Sequence, residues 1–192
     1  MDSSNTATSV AIGAAIATAL GTLALVSFGM ESRGLDAPEL PSVNEDRQRL
    51  FHPGSTVPTA GRGVAFELSP TAWVITQPVS QTERSSAGAT SGLSFAIDET
   101  FETLASGQQV TVEISARLSS DDMEFVAAYS TNEVGNSGWQ RFAANTEFSV
   151  YTFEYNVPQM RAGRLDYVGV ELPTEYPDAT LEVEWLRISV PE

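Results

Sequence analysis

The chain has 192 residues, a formal net charge of −15 and no cysteine. Its ten basic residues are all arginine, set against 25 acidic ones, so phosphates and anionic headgroups are repelled and nucleic-acid binding is excluded. The missing thiols exclude disulfides, thiolate metal sites and cysteine nucleophiles.

No charged side chain lies between Asp2 and Glu31, and Val10 to Gly29 are almost wholly apolar or small. About 20 such residues at roughly 1.5 Å rise cross a hydrocarbon core of about 30 Å. Gly13, Ala14, Ala15, Ala17, Ala19, Gly21 and Ala24 leave no polar face of the kind an amphipathic helix needs, and they suit close helix packing. Residues 1–30 are therefore predicted to be a single-pass transmembrane anchor touching lipid through residues 8–30. An uncleaved anchor is favoured over a signal peptide. No basic residue precedes the apolar run, which is long for a signal core, and Ser27-Phe28-Gly29-Met30 is a poor cleavage site. Arg33, Arg47 and Arg49 follow the span and none precedes it, which by charge alone points the C-terminal side to the cytoplasm. Fold-level analogy for the β-rich remainder points instead to a periplasmic or other extracytoplasmic placement, and this is the one expected.

Residues 31–62 hold Pro38, Pro41, Pro53 and Pro58 among glycine, serine and charges, the composition of a linker or extended strap. A short helix over Asn44–Phe51, capped by Asn44, fits within it. As a strap it would seat Leu35, Leu40, Val43, Leu50 and Phe51 on a partner; as a spacer it would only lift the following domain off the bilayer.

From Gly63 to Glu192 the apolar period is two. Val64, Phe66 and Leu68 alternate with other residues, as do Leu93, Phe95 and Ile97. Val110, Val112, Ile114, Ala116 and Leu118 alternate against Thr111, Glu113, Ser115 and Arg117. The same pattern runs through Tyr151, Phe153, Tyr155 and Val157, then Val168, Val170 and Leu172. Leu181, Val183 and Trp185 face one way before Leu186, Ile188 and Val190 take over, which predicts a bulge near Trp185. With less regular runs at 72–76, 123–129 and 138–142, roughly eight or nine strands are expected. No helical period of useful length is present. About 130 residues of this kind suffice for one core. The fold class is all-β: an antiparallel, jelly-roll-like β-sandwich preceded by one transmembrane helix and an extended linker.

The run Glu147-Phe148-Ser149-Val150-Tyr151-Thr152-Phe153-Glu154-Tyr155-Asn156-Val157-Pro158 resembles the penultimate strands of carbohydrate-binding modules with the galactose-binding-like jelly roll. The closing Leu181-Glu182-Val183-Glu184-Trp185-Leu186-Arg187-Ile188 is similar to the last strand of those families. Both are core-strand patterns, so the resemblance implies a fold. No calcium loop or sugar-stacking motif of that family can be carried onto numbered positions here.

The residues that could do chemistry are few. His52, the only histidine, sits beside Pro53, where no triad geometry can be read. Asp98, Glu99 and Glu102, or Asp121, Asp122 and Glu124, could pair as catalytic carboxylates, but solvated turns are the default in so acidic a chain. Asp121 and Asp122, or Asp98 and Glu99, are also candidates for calcium. A sugar platform needs exposed rings, and Trp139, Tyr129 and Asn136 around an Asn/Gly-rich hairpin loop are its first candidates. Trp73, Tyr167 and Tyr176 come next, while Trp185 is expected in the core. Phosphate-cradling loops, zinc spacings and haem-attachment pairs are missing from the sequence.

The expected function is that of a non-enzymatic accessory subunit of a larger membrane complex, energy-transducing, respiratory or photosynthetic. Its anchor and strap (Leu35, Leu40, Leu50, Phe51) would contact other membrane subunits, without a cofactor. The alternative is a membrane-tethered carbohydrate-binding module whose partner is a glycan.

Overall fold

A computed structural model describes residues 40–61, 64–76, 92–131, 134–159 and 165–191. The predicted anchor lies outside these residues. Among them, no helix is long and apolar enough to cross a membrane. Residues 36–192 form one compact unit.

Two antiparallel sheets face each other, an arrangement consistent with a jelly roll. The first runs β3 (Phe66–Leu68), β4 (Trp73–Ile75), β11 (Leu181–Ser189), β6 (Gln109–Leu118) and β9 (Ser149–Asn156), with β1 (Gln48–Phe51) also paired to β11. The second runs β2 (Thr59–Ala60), β5 (Leu93–Ala96), β10 (Tyr167–Glu171), β7 (Met123–Ser130) and β8 (Gln140–Ala144). All these pairs are antiparallel.

Period-two patterning explains the layers, because successive side chains of a strand point to opposite faces. Along β6, Val110, Val112, Ile114, Ala116 and Leu118 are all buried. The other face of this sheet is laced by charge: Arg187 Nε lies 2.6 Å from Glu113, Arg117 Nη2 2.8 Å from Glu182, and Ser115 Oγ donates to Glu184 at 2.7 Å. Cross-strand pairs of opposite sign contribute about 0.2–1 kcal/mol each. The register of β11 against β6 shifts between Val183 and Trp185. That bulge is where the phase of the sequence changes, and it returns Leu186, Ile188 and Val190 to the core. Trp73, Phe95, Phe101, Phe125 and Tyr129 are the bulkiest of the fully buried side chains, and Trp73 meets Phe95 edge-on at 4.8 Å between ring centroids.

The stretch read as linker is part of the sandwich from Gln48 onward. β1 pairs with the second half of β11, beyond the residues that β4 covers, and β2 pairs with β5. The helix expected over Asn44–Phe51 is instead a turn, closed by Arg47 N donating to Asn44 O at 2.9 Å, followed by strand. Strand pairing wins because it satisfies the backbone on β11 and buries Phe51, whose ring lies 5.7 Å from that of Phe95. A helix that the sequence pattern did not announce spans Glu99–Ala105, here α1. Asp98 caps it by accepting from Phe101 N at 3.0 Å, and Phe101 and Ala105, four apart, face inward. Two turns are too short for a helical period to show.

Gly92 precedes β5 with no room for a side chain. An added Cβ would stand 2.3 Å from Val170 O and from Glu171 Cγ. Gly92→Ala is therefore expected to cost about 1–3 kcal/mol, the range for overpacking, read as a lower thermal midpoint. An unchanged midpoint would show that the β5–β10 pairing yields there.

Candidate functional site

The carboxylates singled out by spacing are separated by the fold. Asp98 forms an ion pair with Arg49 and caps α1, and the guanidinium holds its carboxyl below the usual range. Glu99 is exposed. Glu102 turns inward from the same helix and is 3% exposed. It accepts from the backbone N–H of Asp166, a residue the sequence reading passed over. Asp166 is fully buried, and its Oδ2 accepts from the Tyr129 hydroxyl at 2.8 Å. Its Oδ1 has no hydrogen-bond partner among the described residues. Burial pushes the Asp166 carboxyl up to about 6, against the opposing bond from Tyr129. Burial also raises Glu102 and drives the Tyr129 hydroxyl far above its ordinary value. Two carboxyls shut away from solvent cannot meet a substrate, so this network is internal structure. No local signal marked Asp166, because the segment from Pro158 to Tyr167 carries no strand alternation.

Asp121 and Asp122 occupy the exposed turn between β6 and β7, with Asp122 in the left-handed region at φ 62°. Asp121 Oδ1 accepts from Thr146 N at 3.3 Å. Among the described residues, no group of three or more acids or histidines is placed to share a metal ion.

The aromatic candidates divide sharply. Tyr129, expected on a sugar platform, is fully buried with its hydroxyl committed to Asp166. It faces inward because β7 alternates Phe125, Ala127 and Tyr129 into the core. Trp73 is also core, and Tyr176 packs half-buried against that core. Trp185, expected in the core, is buried instead on the opposite face of the first sheet, where the bulge sets it beside Ser115. Trp139 and Tyr167 remain, both half-exposed.

Tyr167 belongs to the outer face of the second sheet. Tyr167 lies opposite Ala96 on one side and Ser130 on the other. The next outward row sets Gly169 between Ser94 and Ala128, and the one after sets Glu171 beside Val126 and Arg141. Ser94, Val126, Ala128, Ser130 and Glu171 of this face are all buried. Phe142 packs inward on Phe125, so Arg141 and Ala143 of β8 face outward, and half-exposed Trp139 stands one residue before that strand. The hairpin before it is shaped by Gly138 at φ 71° and by the exposed Asn136, whose side-chain oxygen accepts from Gly138 N at 2.8 Å. Arg141 is held 2.8 Å from Glu124 and 3.5 Å from Glu175. The groups left accessible around this face are the Trp139 and Tyr167 rings, the Asn136 amide and the braced Arg141 guanidinium.

His52 lies elsewhere, in an open groove of about 630 Å³ beside β1. Ser55 Oγ bonds to the His52 backbone carbonyl at 3.4 Å and so does not serve the ring as a nucleophile.

Comparison with known proteins gives fold likenesses alone. No protein-family model matches the chain, and no curated protein does. Among solved structures, it is similar to CBM1 of BiXyn10A in apo form, at 11% identity and a TM-score of 0.48, over 75% of this chain and 98% of that one. It is similar to the CBM36-1 domain of a multidomain xylanase from the hindgut metagenome of Trinervitermes trinervoides, at 8% identity and a TM-score of 0.46, over 76% and 98%. A third is the CBM22-1 xylan-binding domain from Paenibacillus barcinonensis Xyn10C, at 13% identity and a TM-score of 0.45, over 74% and 92%.

Proposed function

We propose that the sandwich is a non-catalytic glycan-binding module, tethered to a membrane by the apolar segment of residues 8–30. The observation that carries this reading is half-exposed Trp139 at the entry to β8, next to outward-facing Arg141 and close in sequence to Asn136, which with Tyr167 flanks Ser130 on the outer face of the second sheet. Pyranose rings stack their apolar faces on indole, while amide and guanidinium groups bond the hydroxyls around the rim. The buried carboxyl pair offers no catalytic alternative. The accessory-subunit reading loses its grip on a partner at Phe51, whose ring is spent inside the core. Leu35 lies outside the described residues; Leu40 is exposed and Leu50 half-buried.

Full-length protein in detergent, titrated calorimetrically with soluble xylan, mannan and β-glucan, tests the proposal. Binding to at least one is expected, and Trp139→Ala is expected to weaken it about tenfold or more, roughly 1.4 kcal/mol, with an unchanged thermal midpoint. Failure of all three to bind, or an unaltered affinity in Trp139→Ala, would reject this site.

A further inference from the structure

The edge of β1 points to a second binding function. Val190 N donates to Arg47 O at 3.0 Å, which fixes the ladder phase: Arg47, Arg49 and Phe51 direct their backbone groups at β11. Gln48 and Leu50, between them, direct theirs the other way. Among the described residues no strand pairs with that side of β1. The Gln48 carbonyl is taken by Arg49 Nη1 at 2.8 Å, which leaves the Gln48 N–H and both backbone groups of Leu50 facing out. Such an edge is a template for an added strand unless something blunts it.

A groove runs along this edge, lined by Val43, Glu45, Asp46, Gln48, Leu50 and His52 among others. Its charge is one-sided. Arg49 also lines it but is neutralised by Asp98, and its guanidinium sits 5.2 Å from the centroid of the Phe101 ring. Glu45 and Asp46 are exposed and belong to no ion pair among the described residues.

We infer that this groove receives an extended, basic segment of a partner protein, which pairs with the outer edge of β1 as an added strand. Backbone bonds to Leu50 and Gln48 supply the pairing, as in other strand-addition modes. Glu45 and Asp46 select lysine or arginine, and Val43 and Leu50 receive an alternating aliphatic side chain. This surface is independent of Trp139 and of the glycan reading.

The probe is a fluorescein-labelled decapeptide alternating valine and lysine, titrated by anisotropy into the full chain in detergent, with a valine–glutamate decapeptide as control. Saturable binding of the lysine peptide below about 1 mM is expected, with none by the control. The Leu50 amide should exchange at least about tenfold more slowly in the complex. A Glu45→Gln/Asp46→Asn variant, changed only on exposed side chains, should lose about tenfold in affinity while keeping its thermal midpoint. No saturation by the lysine peptide, equal binding of the two peptides, or binding without protection of Leu50 would each overturn the inference.

Discussion

Phe51→Ala is expected to destabilise the sandwich by about 3–5 kcal/mol, the usual cost of truncating a buried phenylalanine. Phe51 is 8% exposed and its ring tilts against Phe95, which in turn meets Trp73 edge-on. Removing it takes out the one side chain by which β1 enters the core. The remainder of β1 is held by its ladder with β11 and by Arg47, which donates from Nε to Val190 O at 3.3 Å. Urea unfolding followed by tryptophan fluorescence measures the loss. The denaturant slope should stay constant while the midpoint falls, because the native state keeps its extent. A loss under about 1 kcal/mol would mean that β1 is dispensable packing. The same reasoning separates two truncations. A chain begun at Leu40 keeps β1 and β2, whereas one begun at Gly63 exposes the second half of β11 and the edge of β5. The shorter chain is expected not to fold cooperatively.

A second large effect comes from pH. The Asp166 carboxyl titrates near 6 in the folded chain, against an ordinary value of 3.8, because burial disfavours its charge. A carboxyl raised in this way binds its proton more tightly folded than unfolded. Stability from this group is therefore fully present below about pH 3.8 and falls as pH rises to about 6. The difference amounts to roughly 3 kcal/mol lost at neutral pH. Asp166→Asn removes the charge and keeps an oxygen for the Tyr129 hydroxyl, though its amide takes the place of the unpartnered Oδ1. That amide costs about 1–3 kcal/mol at every pH, so the pH dependence of the difference is the decisive readout. Between pH 3.5 and 7.5 the variant should gain roughly 3 kcal/mol relative to the parent. A pH-independent difference would place the Asp166 proton in its ordinary range. Tyr129→Phe should act oppositely to the asparagine variant at neutral pH. It withdraws the donor that favours the carboxylate and leaves both oxygens without a partner among the described residues.

Where alternation is long, the strands were legible from residue order alone. β6, β9 and β11 fall where their alternating apolar residues lie, and the bulge falls between Val183 and Trp185, next to the phase change read from the sequence. Period two is enforced by geometry, since a slip of one residue would turn every buried side chain to water. β1, β2 and α1 were not legible. At four, two and seven residues they carry too few apolar positions to establish a period. The proline- and glycine-rich surroundings of β1 and β2 read equally well as linker.

The candidate site shows the same division. Trp139 and Asn136 could be picked out beside a turn-forming loop, but Tyr129, only ten residues before Trp139, could not be assigned a side. Asp166 could not be found at all, since its burial depends on Glu102 and Tyr129 from distant parts of the chain. Composition and order by themselves determined an acidic, thiol-free chain with an apolar N-terminal run and a two-layered β core, because those properties follow from charge and local periodicity. Only tertiary structure decided which aromatic faces solvent, which carboxyl is shut in, and that the strap is a strand, because each depends on what a distant strand places opposite it.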